Sequence, residues 1–240
     1  MYKIYLYQIK LLDPLFYSRE GLSASFTPSY LHATAVNFAV KNALNIDPQE
    51  QPYLICDENN ISKDNPRYKN SLISNDFYFT PSRLTIPLKY FSEITKGEND
   101  GFIFATKQGE SLQASTLNYI SPESIFKGFL IEKKSYEWPK IIRIGSFRGK
   151  AILELTELEI LKVCNSNTVV SHPVDPLVTD VKKGIAISIF PYPIIENAQC
   201  TGCIMTKLKL KGEIYKIAFP QEWDSPSINY IKVNKNPMII

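Results

Sequence analysis

Thr27–Asn45 (TPSYLHATAVNFAVKNALN) decides the fold class, because it is the clearest helix in the chain and strand-like segments surround it. Thr27 suits an N-cap and Pro28 the first helical position. Tyr30, Thr34, Asn37 and Lys41 form one stripe at helical spacing, while Leu31, Ala35, Phe38, Ala39, Val40 and Ala43 cover most of the remaining circumference. A helix this apolar lies against a sheet. His32 projects near the apolar side, where a lone histidine is expected to be packed rather than catalytic.

Before the helix, Tyr2–Leu12 (YKIYLYQIKLL) reads as a strand with both faces partly covered. Asp13-Pro14 ends it, and Tyr17–Thr27 reads as a loop. After the helix, Asp47–Asn75 is polar and aperiodic, a long loop. Asp76–Tyr90 is strand-like and broken at Thr80-Pro81, and Phe91–Ser111 combines a loop with a short strand. Ser124–Lys133 is a strand, and Trp138–Ile144 leads into Gly145-Ser-Phe-Arg-Gly-Lys150. Ala151–Val163 fits a strand or a helix, since Glu154, Glu157 and Glu159 match neither period cleanly. Gly184–Pro193 and Ile204–Pro220 are further strands, the second turning at Lys211-Gly212. This order predicts an α+β fold, with one or two helices on one face of an antiparallel sheet. A single domain over residues 1–240 with a ferredoxin-like (RRM-type) core and a β-rich insertion at about 84–140 fits, as do other α+β folds.

Composition narrows the class. The chain has 240 residues, 44% of them hydrophobic and 21% charged, enough apolar content to build a core. No apolar run approaches the roughly 18 residues that span a membrane. Lys3, Gln8, Lys10 and Asp13 interrupt any signal-peptide core, so a cytoplasmic location and no membrane contact are expected. The net charge of +3 is small for a nucleic-acid binder, but basic residues concentrate in Lys127–Lys150 and Lys207–Lys216. Each cluster reads as a solvated strand face or a binding face.

Most catalytic frameworks are missing. Gly145–Lys150 has only three residues between Gly145 and Gly149-Lys150, and Ala151 follows, so it is not a Walker A loop. A glycine-framed turn with Arg143, Ser146, Arg148 and Lys150 still suits phosphate oxygens. Phe147 at its tip reads as a base-stacking platform or as core. Cys200-Thr-Gly-Cys203 lacks the second pair that a structural zinc site needs, and is expected as a hairpin turn. The two histidines, His32 and His172, stand apart, the latter in Ser-His172-Pro-Val-Asp175. The residue set favours binding over catalysis and implies no cofactor or metal.

Four segments, in order over about residues 1–155, resemble one known family. They are Asp13–Glu20 (DPLFYSRE), Phe77–Arg83 (FYFTPSR), Ala114–Phe126 (ASTLNYISPESIF) and Ile142–Ala151 (IRIGSFRGKA). On them the chain resembles the type I-D CRISPR effector subunit of the Cas-five family (Csc-one). The resemblance implies an RRM-like palm with a β-rich thumb-like extension. It implies a non-catalytic Cascade subunit that holds and caps the crRNA 5′ tag for antiviral defence. Its partners would be crRNA, the large and backbone subunits, and target DNA within the complex, with sequence read by base pairing. Held as a single strand, the tag would be gripped by Arg and Lys on phosphates and by aromatics on bases. The candidate RNA-binding residues are Tyr17, Ser18, Arg19, Arg83, Arg143, Ser146, Phe147, Arg148 and Lys150. Four of the five arginines fall in the matching segments. For Arg19 and Arg83 an internal salt bridge is the competing role. The alternative function is a metal-independent endoribonuclease acting on CRISPR precursor RNA, which would need His32 or His172 as its histidine base.

Overall fold

A computed structural model describes residues 2–17, 24–46, 71–86, 89–96, 114–164, 167–209 and 211–223. Most of the polar stretch 47–75, along with Ser18 and Arg19, lies outside them. In chain order the elements are β1 (Lys3–Leu11), β2 (Ala24–Phe26), β3 (Tyr30–Leu31), α1 (Ala33–Ala43), β4 (Phe77–Phe79), β5 (Ser82–Ile86), β6 (Tyr90–Lys96) and β7 (Ala114–Ile120). There follow β8 (Ile125–Glu132), β9 (Ile141–Ile144), β10 (Gly149–Cys164), β11 (Thr168–Val169), β12 (Val181–Ile187), β13 (Ile194–Cys200), β14 (Cys203–Lys207) and β15 (Ile214–Ala218). Among the described residues no helix is long and apolar enough to cross a membrane.

The large sheet runs β15-β14-β10-β1-β8-β5-β3, with β4 also on β8 and β9 also on β10. β1 is central and antiparallel to both neighbours. Its sequence explains this position. Tyr7, Ile9 and Leu11 enter the core beneath α1, and Ile4 and Leu6 enter a second core with Phe129, Ile131, Leu158, Ile204 and Ile217. A strand buried on both faces has no solvent side to alternate with. β10 resolves the ambiguity of Ala151–Val163 as a strand of 16 residues: Ala151, Leu153 and Leu158 are buried, and Glu154 and Glu157 point to solvent.

The observed architecture is a mostly antiparallel, curled sheet with one helix among the described residues. A ferredoxin-like unit would carry a second helix between its third and fourth strands; here the chain from β8 to β10 forms β9 instead. Within residues 84–140, β6 and β7 form a small sheet with β2, whereas β8 sits beside β1 in the large one. Six of the eight β8 residues are buried, which suits a central strand rather than an outlying one. Gly184–Pro193 is not one strand either: β12 ends at Ile187, and residues 188–193 form a loop. β13 and β14 belong to different sheets, so Cys200–Cys203 is a corner between sheets rather than a hairpin turn.

The helix departs from its sequence reading twice. It begins after His32, because Tyr30 and Leu31 pair with Arg83 and Ser82 and hold the chain extended past Pro28. The N-cap is His32 itself, whose Nδ1 accepts from the Thr34 N–H at 3.1 Å. The polar stripe also turns inward: Thr34, Asn37 and Lys41 are buried, while Ala35, Asn42 and Ala43 are exposed. Asn37 supplies the reason. Its Nδ2 donates to the carbonyls of Ala33 and Phe79, both at 2.8 Å, and its Oδ1 accepts from the Phe79 N–H at 2.9 Å. Lys41 Nζ donates to the Ile73 carbonyl at 3.4 Å. The Asn37 side chain thus serves both backbone groups of Phe79 in β4, and Lys41 serves the chain just before that strand. At the C-terminus, Asn45 (φ 52) takes the left-handed position of a Schellman cap, with Ile46 N–H donating to the Lys41 carbonyl.

Asn37→Ala should therefore destabilise the fold by about 3 kcal/mol, since it orphans a buried amide and a buried carbonyl on Phe79. Urea unfolding monitored by circular dichroism checks this; a loss below about 1 kcal/mol, the size of one ordinary hydrogen bond, would show that the clamp is not what holds α1 to β4.

Candidate functional site

β9 and β10 form a hairpin in which Ile144 faces Gly149 and Arg143 faces Lys150. Its turn, Gly145–Arg148, is closed by Arg148 N–H donating to the Gly145 carbonyl at 3.1 Å. Gly145 has φ +82, and a Cβ there would lie 2.7 Å from Leu15 Cδ1 and 2.8 Å from the Phe16 carbonyl oxygen. Only glycine combines that backbone with that approach. The turn is tied to the chain that follows β1. Ser146 N–H donates to the Phe16 carbonyl at 2.8 Å, Lys150 N–H donates to Asp13 Oδ2 at 2.8 Å, and Leu12 N–H donates to the Lys150 carbonyl at 3.0 Å. Leu15 exchanges two hydrogen bonds with Ile120. Three sequence segments distant along the chain thus meet at one place.

Phe147 is 61% exposed at the tip of the turn. It is neither core nor isolated: its ring stacks on buried Phe16 (5.5 Å, 22°) and lies 6.2 Å from buried Tyr119. Arg143, Ser146, Arg148 and Lys150 are exposed around it. Arg143 Nη1 donates to the Arg148 carbonyl at 3.3 Å, which lays the guanidinium along the hairpin. Arg148 holds φ 51. The hairpin therefore presents an exposed ring with aromatic backing beside three cations, a combination suited to stacking a base while phosphates are held.

The other candidates are placed differently. Tyr17 is half-buried, and its hydroxyl donates to the carbonyls of Pro28 (3.1 Å) and Tyr30. Burial raises its pKa well above the usual phenol range, so it serves as an anchoring group. Arg83 is on β5 and forms an ion pair with Glu196 of β13, the internal role that competed with phosphate binding. Ser18 and Arg19 lie outside the described residues.

On its other side the hairpin faces α1 across a groove of about 1050 Å3. The helix contributes Ala35, Phe38, Asn42 and Ala43, the hairpin contributes Ile141, Arg143, Ser146 and Arg148, and the loop after β12 contributes Phe190 and Pro191. The sequence reading missed this groove because it laid the apolar helix face on the sheet. The signal lay in Asn37 and Lys41, whose polarity inside a helix called for buried partners.

Both histidines are buried. His172 Nε2 accepts from the Ala218 N–H at 3.1 Å and Nδ1 donates to the Pro173 carbonyl at 2.6 Å. Burial holds both imidazoles neutral, lowering each to about 4. Cys200 and Cys203 sit in a small core with Val170, Val174, Ala198 and Ala218, and burial pushes their thiols up to about 12 and about 11. Among the described residues no cluster of three or more His, Cys, Asp or Glu side chains could hold a metal ion.

The model of the family described as Type I-D CRISPR-associated protein Cas5/Csc1 matches residues 2–223, the whole span of the described residues. No curated protein matches the chain.

Proposed function

The chain belongs to the type I-D Cas5/Csc1 family, and from that premise we propose that it is a non-catalytic RNA-binding subunit of a cytoplasmic type I-D Cascade. In this reading it holds the 5′ tag of the crRNA and contacts the large and backbone subunits around the paired target DNA. The observation that carries it is the β9–β10 turn, with exposed Phe147 stacked on Phe16 amid Arg143, Arg148 and Lys150. Single-stranded RNA is bound through such pairs of elements, aromatic faces for splayed bases and cations for the backbone. The order β10-β1-β8-β5, with α1 between β1 and β5 in sequence, supports reading these strands as an RRM-like palm that has lost its second helix. The small sheet of β2, β7 and β6 is then the thumb-like extension. The nuclease alternative has less support: both histidines are buried, and His172 is engaged through both ring nitrogens.

Arg143→Ala combined with Arg148→Asn removes both guanidinium groups, asparagine being chosen because Arg148 has a left-handed backbone. The double variant should weaken binding of the tag RNA by roughly 1–3 kcal/mol, and the deficit should shrink as salt rises. Fluorescence anisotropy on the folded variant measures it. Wild-type affinity at low salt would remove this turn as the RNA site.

A further inference from the structure

We propose that the groove between α1 and β9 receives bases of the same RNA strand whose phosphates the β9–β10 turn holds, so that the strand straddles the hairpin. The proposal rests on the reading of that turn as an RNA site and extends it to a second surface. Phe147 leans one way, onto Phe16 and Tyr119. Ser146 and Arg148, the residues on either side of it, line the groove on the other. The crest between carries Arg143 and Arg148, where a backbone crossing the hairpin would place its phosphates.

The groove itself has the chemistry of a base site. None of its lining residues is acidic, and its two charged groups are both arginines. Its walls are apolar, with Ala35 on the helix, Phe38 beside it, and Ile141 and Phe190 exposed at 55% and 46%. Asn42 and Asn45 add amides, each carrying a donor and an acceptor, the complement of a base edge. At about 1050 Å3 it has room for bases, lying at the top of the range of roughly 300–1,000 Å3 usual for a small-molecule pocket. The charge also selects the occupant: a purely apolar partner segment would leave two arginines unanswered, whereas RNA brings its own anions. The inward turn of Asn37 and Lys41 is what leaves Ala35 and Ala43 facing outward, so the small residues that open the groove follow from the clamp on β4.

Photocrosslinking of wild-type protein with a short thiouridine-labelled oligouridine, mapped by mass spectrometry, tests this directly. Adducts on α1 and on Phe190, in addition to the turn, are expected. Ala35→Trp should fill the groove from an exposed helix position. It should weaken the oligouridine about tenfold while leaving an abasic ribose-phosphate oligomer of equal length bound as in wild type. If Ala35→Trp fails to fold, Phe190→Ala replaces it and should show the same selective loss. Adducts confined to the turn, with Ala35→Trp binding like wild type, would overturn the groove and leave the turn reading intact. No adduct at either place would overturn both. Protection of α1 from hydrogen exchange on adding partner subunits, without RNA adducts there, would assign the groove to a protein segment instead.

Discussion

Acidification from about pH 6.5 to about pH 4 should remove a large share of this protein's stability. His32 and His172 are buried, and burial lowers each imidazole from 6.5 to about 4. At His172 the neutral form is required by its partners: Nε2 accepts from Ala218 N–H, so a proton there would set a donor against a donor. At His32 a proton on Nδ1 would break the N-cap to Thr34. Asp175 and the Tyr192 backbone favour its charged form but are outweighed by burial. The unfolded chain takes up these protons near pH 6.5 and the folded chain only near 4. Stability is therefore full above 6.5 and falls as pH drops through that window. Each pKa unit corresponds to about 1.4 kcal/mol, so each histidine accounts for on the order of 3 kcal/mol. Together they are comparable with the roughly 5–15 kcal/mol that holds a typical domain. Thermal melts across this pH range measure the slope. His32→Asn keeps a capping acceptor and deletes one titration, so it should flatten about half of the dependence. An unchanged slope in that variant would sink the assignment.

Tyr7→Ala should cost about 4 kcal/mol. Tyr7 is fully buried at the middle of β1, directly opposite Gly128 of β8. Its hydroxyl donates to the Thr80 carbonyl at 2.6 Å, at the corner where β4 gives way to β5, and its ring lies 5.3 Å from that of Phe79. Truncation empties the site and strands the Thr80 carbonyl. The glycine opposite is part of the same unit, because a Cβ at Gly128 would lie 2.6 Å from the tyrosine ring. Gly128→Ala alone should cost roughly 1–3 kcal/mol by overpacking. In the Tyr7→Ala background the added methyl enters vacated space, so the two losses should be less than additive. Denaturant titration of the four proteins in this cycle decides it, and simple additivity would mean that the ring and the glycine are independent.

What could be read from the sequence was whatever its causes kept local. The apolar run of β1, its stop at Asp13-Pro14, the break at Thr80-Pro81 and the Gly145–Lys150 turn depend on neighbouring residues, and each is found where expected. The start of α1 is not local: the partner that holds Tyr30 extended is Arg83, in another strand. The inward direction of Asn37 and Lys41 is not local either, because their partners, Phe79 and Ile73, are more than thirty residues away. At the site, the sequence brought forward the turn residues but not Phe16 or Tyr119 beneath Phe147. Arg83 looked available for phosphate, and Glu196, which engages it, lies 113 residues downstream.

The central position of β1 carries a cost in time. It is synthesised well before both of its sheet neighbours, β8 and β10, which come from beyond residue 124. At roughly 5–20 residues per second, a ribosome needs on the order of ten seconds to deliver β8 after β1 emerges, and longer for β10. Throughout that interval Ile4, Leu6, Tyr7, Ile9 and Leu11, all buried in the finished protein, have no strand to pair with. Such a segment offers an open edge to any other nascent chain, so the yield of this protein should depend on what shields β1 during translation.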